Sequence, residues 1–73
     1  MTEQQLQTIS VIKNYISENG YSPSIGDIAN ELGVYPNAVQ EQIKRLERDG
    51  YITKKAGVAR SLRLTDKAES LWG

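Results

Sequence analysis

The sequence predicts a small, mostly helical domain closed by a β-hairpin, and three observations carry that expectation. Apolar residues recur at three- and four-residue spacing in three successive stretches up to Leu46. Beyond Gly50 the apolar period shortens to two. The second and third helical stretches are separated only by Gly33, Val34 and Tyr35, so their helices meet at a tight turn.

The first helix opens at Thr2, with Gln5 three residues later completing a capping box, and runs to Gly20. Leu6, Ile9, Ile12 and Ile16 are its expected buried stripe, while Val11 and Tyr15 lie off that stripe and are expected to be partly buried. Its task is to brace the helix pair that follows. In that pair, Ser24 caps the second helix and Asp27 reaches back to it, with Pro23 fixing the entry. Ile25, Ile28, Ala29 and Leu32 share one face, and Gly33 ends the run, since glycine enters the left-handed conformation without a Cβ clash. Pro36 suits the first position of the third helix, because its fixed φ fits there and its missing N–H would have had no partner. Over residues 36–49, Val39, Ile43 and Leu46 form the apolar stripe, and Asn37, Gln40, Glu41, Lys44 and Arg48 fall largely outside it.

After Gly50, residues 51–54 and 61–64 alternate apolar and polar side chains, and the small residues Ala56 to Ala59 between them read as a turn. Ile52, Leu62 and Leu64 are expected to face the helices. Lys54, Lys55 and Arg60 flank a loop without acidic residues, so residues 54–60 are expected to project positive charge away from the core. A helix-turn-helix followed by a basic hairpin defines a winged helix-turn-helix: a three-helix core, a two-stranded wing and a short C-terminal helix. The plainer reading is a hairpin that only covers the core, its lysines blunting an exposed strand edge. Thr65 caps the last helix, with Asp66 and Glu69 near its positive end. Trp72 is expected to pack back on the first helix, with a two-fold interface as the alternative. With no repeat or linker, residues 1–73 read as one domain.

Composition narrows the function classes. The 73 residues include no cysteine and no histidine, which removes thiol catalysis, disulfide frameworks and thiolate metal sites. General acid–base chemistry needs convergent titratable groups in a pocket, and a core this small leaves little room for one. Glu41, Glu47 and Asp49 lack the spacing of a metal-binding loop. No enzyme, metal, cofactor or small-molecule substrate is therefore expected. No apolar run approaches the roughly 20 residues that span a bilayer, and the polar N-terminus does not read as a signal peptide. A cytoplasmic, nucleoid-associated address fits.

Formal net charge is zero, yet its distribution is polarised. Lys44, Arg45, Arg48, Lys54, Lys55, Arg60 and Arg63 are opposed in their segment only by Glu47 and Asp49, whereas up to Ile43 only Lys13 offsets Glu3, Glu18, Asp27, Glu31 and Glu41. Such a molecule can turn one face to phosphate and the other to water.

The conjunction of Gly20, Pro23, Ser24, Asp27, Ile28 and Ala29 with Leu32, Gly33, Pro36, Asn37, Ala38 and Val39, then Ile43 to Leu46, Gly50 and Ile52, resembles the N-terminal DNA-binding domain of LexA repressors. The likeness runs from residue 2 through the wing to Leu64. It implies that Tyr35, Asn37, Ala38, Gln40 and Glu41 face the bases, and the chemistry agrees. Asn37 and Gln40 have the amide geometry for adenine, Glu41 can accept from cytosine N4, and Ala38 can touch a thymine methyl. Ser24, Lys44, Lys54, Lys55 and Arg60 complete the expected DNA-binding set. The chain departs from the family where Tyr35 replaces a small capping residue, Gln40 replaces a frequent acid, and Ile25 stands where a basic residue is frequent. Its base preference is therefore expected to differ from the family's usual operator. LexA proteins continue into a self-cleaving Ser-Lys peptidase domain that also supplies dimerisation, so this chain is either a stand-alone regulator or a piece of a longer one.

The leading expectation is a sequence-specific regulator of the repressor type that reads double-stranded DNA with the third helix in a major groove and the wing on the backbone or minor groove. One helix reads few base pairs, so a homodimer or partner regulator is expected to complete the specificity. The alternative is a winged helix that binds proteins without reading DNA, a reading that zero net charge favours.

Overall fold

The computed structural model describes residues 2–58 and 60–72, the side chain of Trp72 excepted. The expected packing of Trp72 and the place of Ala59 in the wing loop lie outside the described residues. In chain order the elements are α1 (Glu3–Asn19), α2 (Ile25–Leu32), α3 (Pro36–Arg48), β1 (Ile52–Thr53), β2 (Arg63–Leu64) and α4 (Asp66–Glu69), then a 3-10 turn over Ser70–Trp72. β1 and β2 pair antiparallel, Ile52 opposite Leu64 and Thr53 opposite Arg63. This is the winged helix-turn-helix that the sequence predicts, with a shorter ladder than the alternation suggested.

Local chemistry sets the helix ends. The Gln5 N–H donates to Thr2 Oγ1 at 3.1 Å while the Thr2 N–H donates to Gln5 Oε1 at 3.0 Å. Ser24 and Asp27 repeat this reciprocal box on α2, at 3.1 and 3.0 Å. Two donors at helix starts are satisfied each time. Gly33 closes α2 at φ 69, and its N–H and that of Val34 both reach the Ala29 carbonyl. The left-handed residue turns the chain out of α2 and leaves only Val34 and Tyr35 before α3 begins at Pro36.

The core is assembled from the four helices and the hairpin: Ile9 and Ile12 of α1, Ile28 and Ala29 of α2, Val39, Ile43 and Leu46 of α3, Ile52 of β1, Leu62 just before β2, and Ala68 of α4. Ile16, Ile25, Leu32, Tyr51 and Leu64 pack around it half-buried. Each fully buried Ile or Leu contributes roughly 1.5–3 kcal/mol relative to exposure. Val11 and Tyr15 are partly buried, as expected. One expectation is corrected: Leu6 is 41 % exposed, and Gln5 and Thr8 hold the buried positions on that turn. At 100° per residue, the line through Ile9, Ile12 and Ile16 passes through Gln5 and Thr8, leaving Leu6 at its edge. Both polar side chains tolerate burial because their partners are local, Gln5 in the capping box and Thr8 Oγ1 donating to the Gln4 carbonyl at 2.9 Å.

Tyr35 occupies the N-cap of α3 without making a side-chain cap bond. Tyr35 is also 84 % exposed, so its ring adds little packing. Tyr35→Ser is therefore expected to stabilise the fold by about 1 kcal/mol, a rise of roughly 4–8 °C in Tm for a domain of this size. Thermal melting followed by circular dichroism checks it, and an unchanged or lower Tm would show that solvent already caps the helix adequately.

Candidate nucleic-acid interface

Burying Val39, Ile43 and Leu46 turns the opposite side of α3 to solvent. Asn37, Ala38, Gln40, Glu41 and Lys44 are all exposed there, and the spacing of 37, 40, 41 and 44 keeps those four on one helical face. Amide donors and acceptors therefore stand at the N-terminal end of α3, the positive end of its dipole, followed one turn on by a cation. The other end of α3 carries Arg45 and Arg48, placed to offset the negative end of the helix dipole.

That far end is also held by a residue missed in the sequence. Lys67 Nζ donates to the Asp49 carbonyl at 2.8 Å and lies 4.6 Å from the Tyr51 ring centroid. Thr65 Oγ1 donates to the Gly50 carbonyl at 2.6 Å, and the Thr65 N–H donates to the Tyr51 carbonyl at 3.0 Å. A lysine near a helix C-terminus is a known complement to its carbonyls, but Lys67 reaches α3 from eighteen residues downstream, and local pattern reading cannot see that.

The wing runs out from β1 through Lys54 and Lys55 to a turn at Ala56 and Gly57, the latter at φ 75. The Val58 N–H closes the turn onto the Lys55 carbonyl at 3.2 Å. Ser61 then bridges the two legs: its Oγ accepts from the Lys55 N–H at 2.9 Å and donates to the Val58 carbonyl at 2.9 Å. The Lys54 and Lys55 side chains are exposed, and neither forms an ion pair among the described residues. Between this leg and the start of α2 lies an open groove of about 530 Å³, lined among others by Ser24, Ile25, Lys54, Lys55 and Arg60. A core this small was expected to leave little room for a pocket. The space is not in the core but between the wing and α2, and its titratable lining is cationic. Ser24 borders it half-buried, with its hydroxyl engaged in the α2 cap.

Arg60 departs from the expected pattern. It does not project with the two lysines but folds back, Nη1 lying 2.9 Å from Asp27 Oδ2 and donating to Tyr15 Oη at 3.1 Å and to the Ser22 carbonyl at 3.2 Å. The physical reason is the nearby carboxylate, which attracts a guanidinium more strongly than open solvent does once both groups are half-shielded. The Asp27 carboxyl is held below the usual carboxylate range, first by the backbone N–H of Ser24, then by the Ser24 hydroxyl, Tyr15 and the charge of Arg60, against the opposing effect of burial. Arg60 itself is shifted up, first by the Tyr15 hydroxyl and then by Asp27.

Fold and candidate interface together define a winged helix-turn-helix in which one face of α3 and the tip of the wing stay exposed. Comparison with known proteins gives the particular family. The model of the LexA DNA-binding domain matches residues 1–61, and the chain belongs to that family. The LexA repressor of Thermosipho melanesiensis is 42 % identical over 71 residues, which cover 97 % of this chain and 36 % of that protein. The LexA repressor of Marinobacter nauticus is 38 % identical over 72 residues, with the same two shares. The chain thus spans about a third of the length of these relatives. Among solved structures, a transcriptional regulator of Thermotoga maritima superposes with a TM-score of 0.72 at 29 % identity, over 97 % of this chain and 49 % of that one. A hypothetical protein of Sulfolobus solfataricus shares the fold at a TM-score of 0.83 and 24 % identity, over 97 % of this chain and 52 % of its own. Among the described residues, no helix is long and apolar enough to cross a membrane.

Proposed function

We propose that this chain reads DNA as a transcriptional repressor in the cytoplasm, acting at the nucleoid. The N-terminal half of α3 enters a major groove of double-stranded DNA, and Lys54 and Lys55 hold the adjacent backbone or minor groove. The observation that carries this is the exposed row of Asn37, Ala38, Gln40, Glu41 and Lys44 on α3, set on a fold whose wing offers two unneutralised lysines. Tyr35, at the tip of the same helix, adds a large exposed ring beside the base-facing row. Ser24 flanks the groove at the start of α2.

One such helix reads only a few base pairs, so full specificity requires a second copy or a partner regulator on a repeated site. Selection of binding sites from random duplex DNA is the test. The expected product is a defined half-site, repeated with two-fold symmetry at a spacing of about one helical turn or a multiple of it. Binding is also expected to weaken steeply with salt, and Lys54→Ala with Lys55→Ala to reduce the slope of log affinity against log salt by about 0.9 for each phosphate contact removed. No enriched sequence, or affinity indifferent to salt, would overturn the reading.

A further inference from the structure

Arg60 has a role that DNA reading alone does not explain. It stands on the return leg of the wing at φ 55, a left-handed backbone conformation that non-glycine residues adopt only when their surroundings hold them there. Its guanidinium carbon lies 5.2 Å from the Tyr21 ring centroid, and that ring packs edge-on against Tyr15 at 5.8 Å. Two residues later in the chain, the Leu62 N–H donates to Ser22 Oγ at 3.1 Å. Together with Asp27, Tyr15 and the Ser22 carbonyl, these partners belong to α1, the segment between α1 and α2, and α2 itself. One side chain thus ties the wing to all three.

The wing has need of such a tie. Each of its strands is two residues long, and a hairpin that short is not stable alone. Its direction therefore depends on how the return leg is anchored. Nη1 makes all three contacts, to Asp27, Tyr15 and Ser22, so that nitrogen could serve a phosphate only by giving up the clasp.

We propose that Arg60 is a positioning residue for the wing and not a phosphate contact: its clasp on Asp27, Tyr15 and Ser22 sets the direction in which Lys54 and Lys55 present their charge. The effect on binding rests on the DNA-reading proposal, whereas the clasp exists without DNA. A wing held in advance loses less conformational freedom on binding.

The test compares Arg60→Lys, Arg60→Ala and Tyr15→Phe. Lysine keeps the charge but lacks the planar guanidinium that lies against the Tyr21 ring while Nη1 serves Asp27, Tyr15 and Ser22. In the free protein, amide exchange at Leu62, Val58 and Lys55 reports the anchored leg and the wing turn. Arg60→Lys is expected to lose protection there about tenfold, as fully as Arg60→Ala, with Tm and the exchange of core helix amides such as Ile12 and Leu46 unchanged. On selected duplex DNA both variants are expected to bind about tenfold more weakly. Tyr15→Phe, which removes one hydroxyl from the clasp, is expected to weaken binding about threefold and to add nothing to Arg60→Lys. If Arg60→Lys binds like the unaltered chain while Arg60→Ala loses about 0.9 in salt slope, Arg60 is on a phosphate and the proposal fails. Undiminished protection at Leu62 in both Arg60 variants would equally overturn it. If the unaltered chain selects no duplex, the DNA reading falls, and the exchange experiment still decides the clasp.

Discussion

Leu46→Ala is expected to remove about 2–5 kcal/mol of stability, enough to leave a domain of this size only marginally folded. Leu46 has no exposed surface and closes the last turn of α3 against the core. Its carbonyl also accepts the Tyr51 N–H at 2.9 Å, where the chain leaves α3 for the wing. Truncation would leave a cavity that α3 cannot collapse around without shifting its exposed face, because the same helix carries Asn37 and Gln40. A chain of this length is expected to have roughly 0.05–0.15 kcal/mol of stability per residue, so the loss is a large part of the total. Urea unfolding checks it: the midpoint is expected to fall sharply while the m-value holds. Leu32→Ala, at a half-buried site, is expected to cause a smaller loss. Equal losses at the two positions, or a loss under about 1 kcal/mol at Leu46, would contradict the burial-based ranking.

The features legible in the sequence are those whose causes are local. Ser24 with Asp27, Gly33 and Pro36 each act within a turn of their own position, and together they fix where α2 ends and α3 begins. The apolar stripe of α3 then determines which of its residues are exposed, so the candidate reading face follows from the same spacing. The wing was legible as a hairpin for a similar reason, since Ile52, Leu62 and Leu64 keep a period of two. What stayed hidden depends on tertiary proximity. Tyr15 and Arg60 are forty-five residues apart in the chain, and nothing near Arg60 marks it as different from Lys54 or Lys55. Thr8 was hidden in another way: a polar residue that satisfies its hydroxyl within its own helix can stand in a core stripe, and hydrophobic periodicity passes over it.

On the proposed reading, Asn37→Ala is expected to weaken binding to the preferred duplex by about 1–3 kcal/mol and to flatten the preference at one base pair. The signature is positional rather than general. A side chain that hydrogen-bonds a base edge discriminates at that base, so competitors altered there should bind the variant nearly as well as the preferred site does. Competitors altered elsewhere should keep their penalties. Gln40→Ala is expected to relax a different position, one turn further along α3. Loss of Lys54 should instead weaken all duplexes alike, because phosphate carries no sequence information. Asn37 is exposed and outside the cap geometry of α3, which has no side-chain cap bond at all. Folding stability is therefore expected to change little, and any change in binding can be assigned to the interface. Competition binding at one fixed salt concentration, with every single-base variant of the selected site, is the measurement. A uniform loss across the whole set would assign Asn37 to the backbone, and an unchanged profile would remove it from the interface.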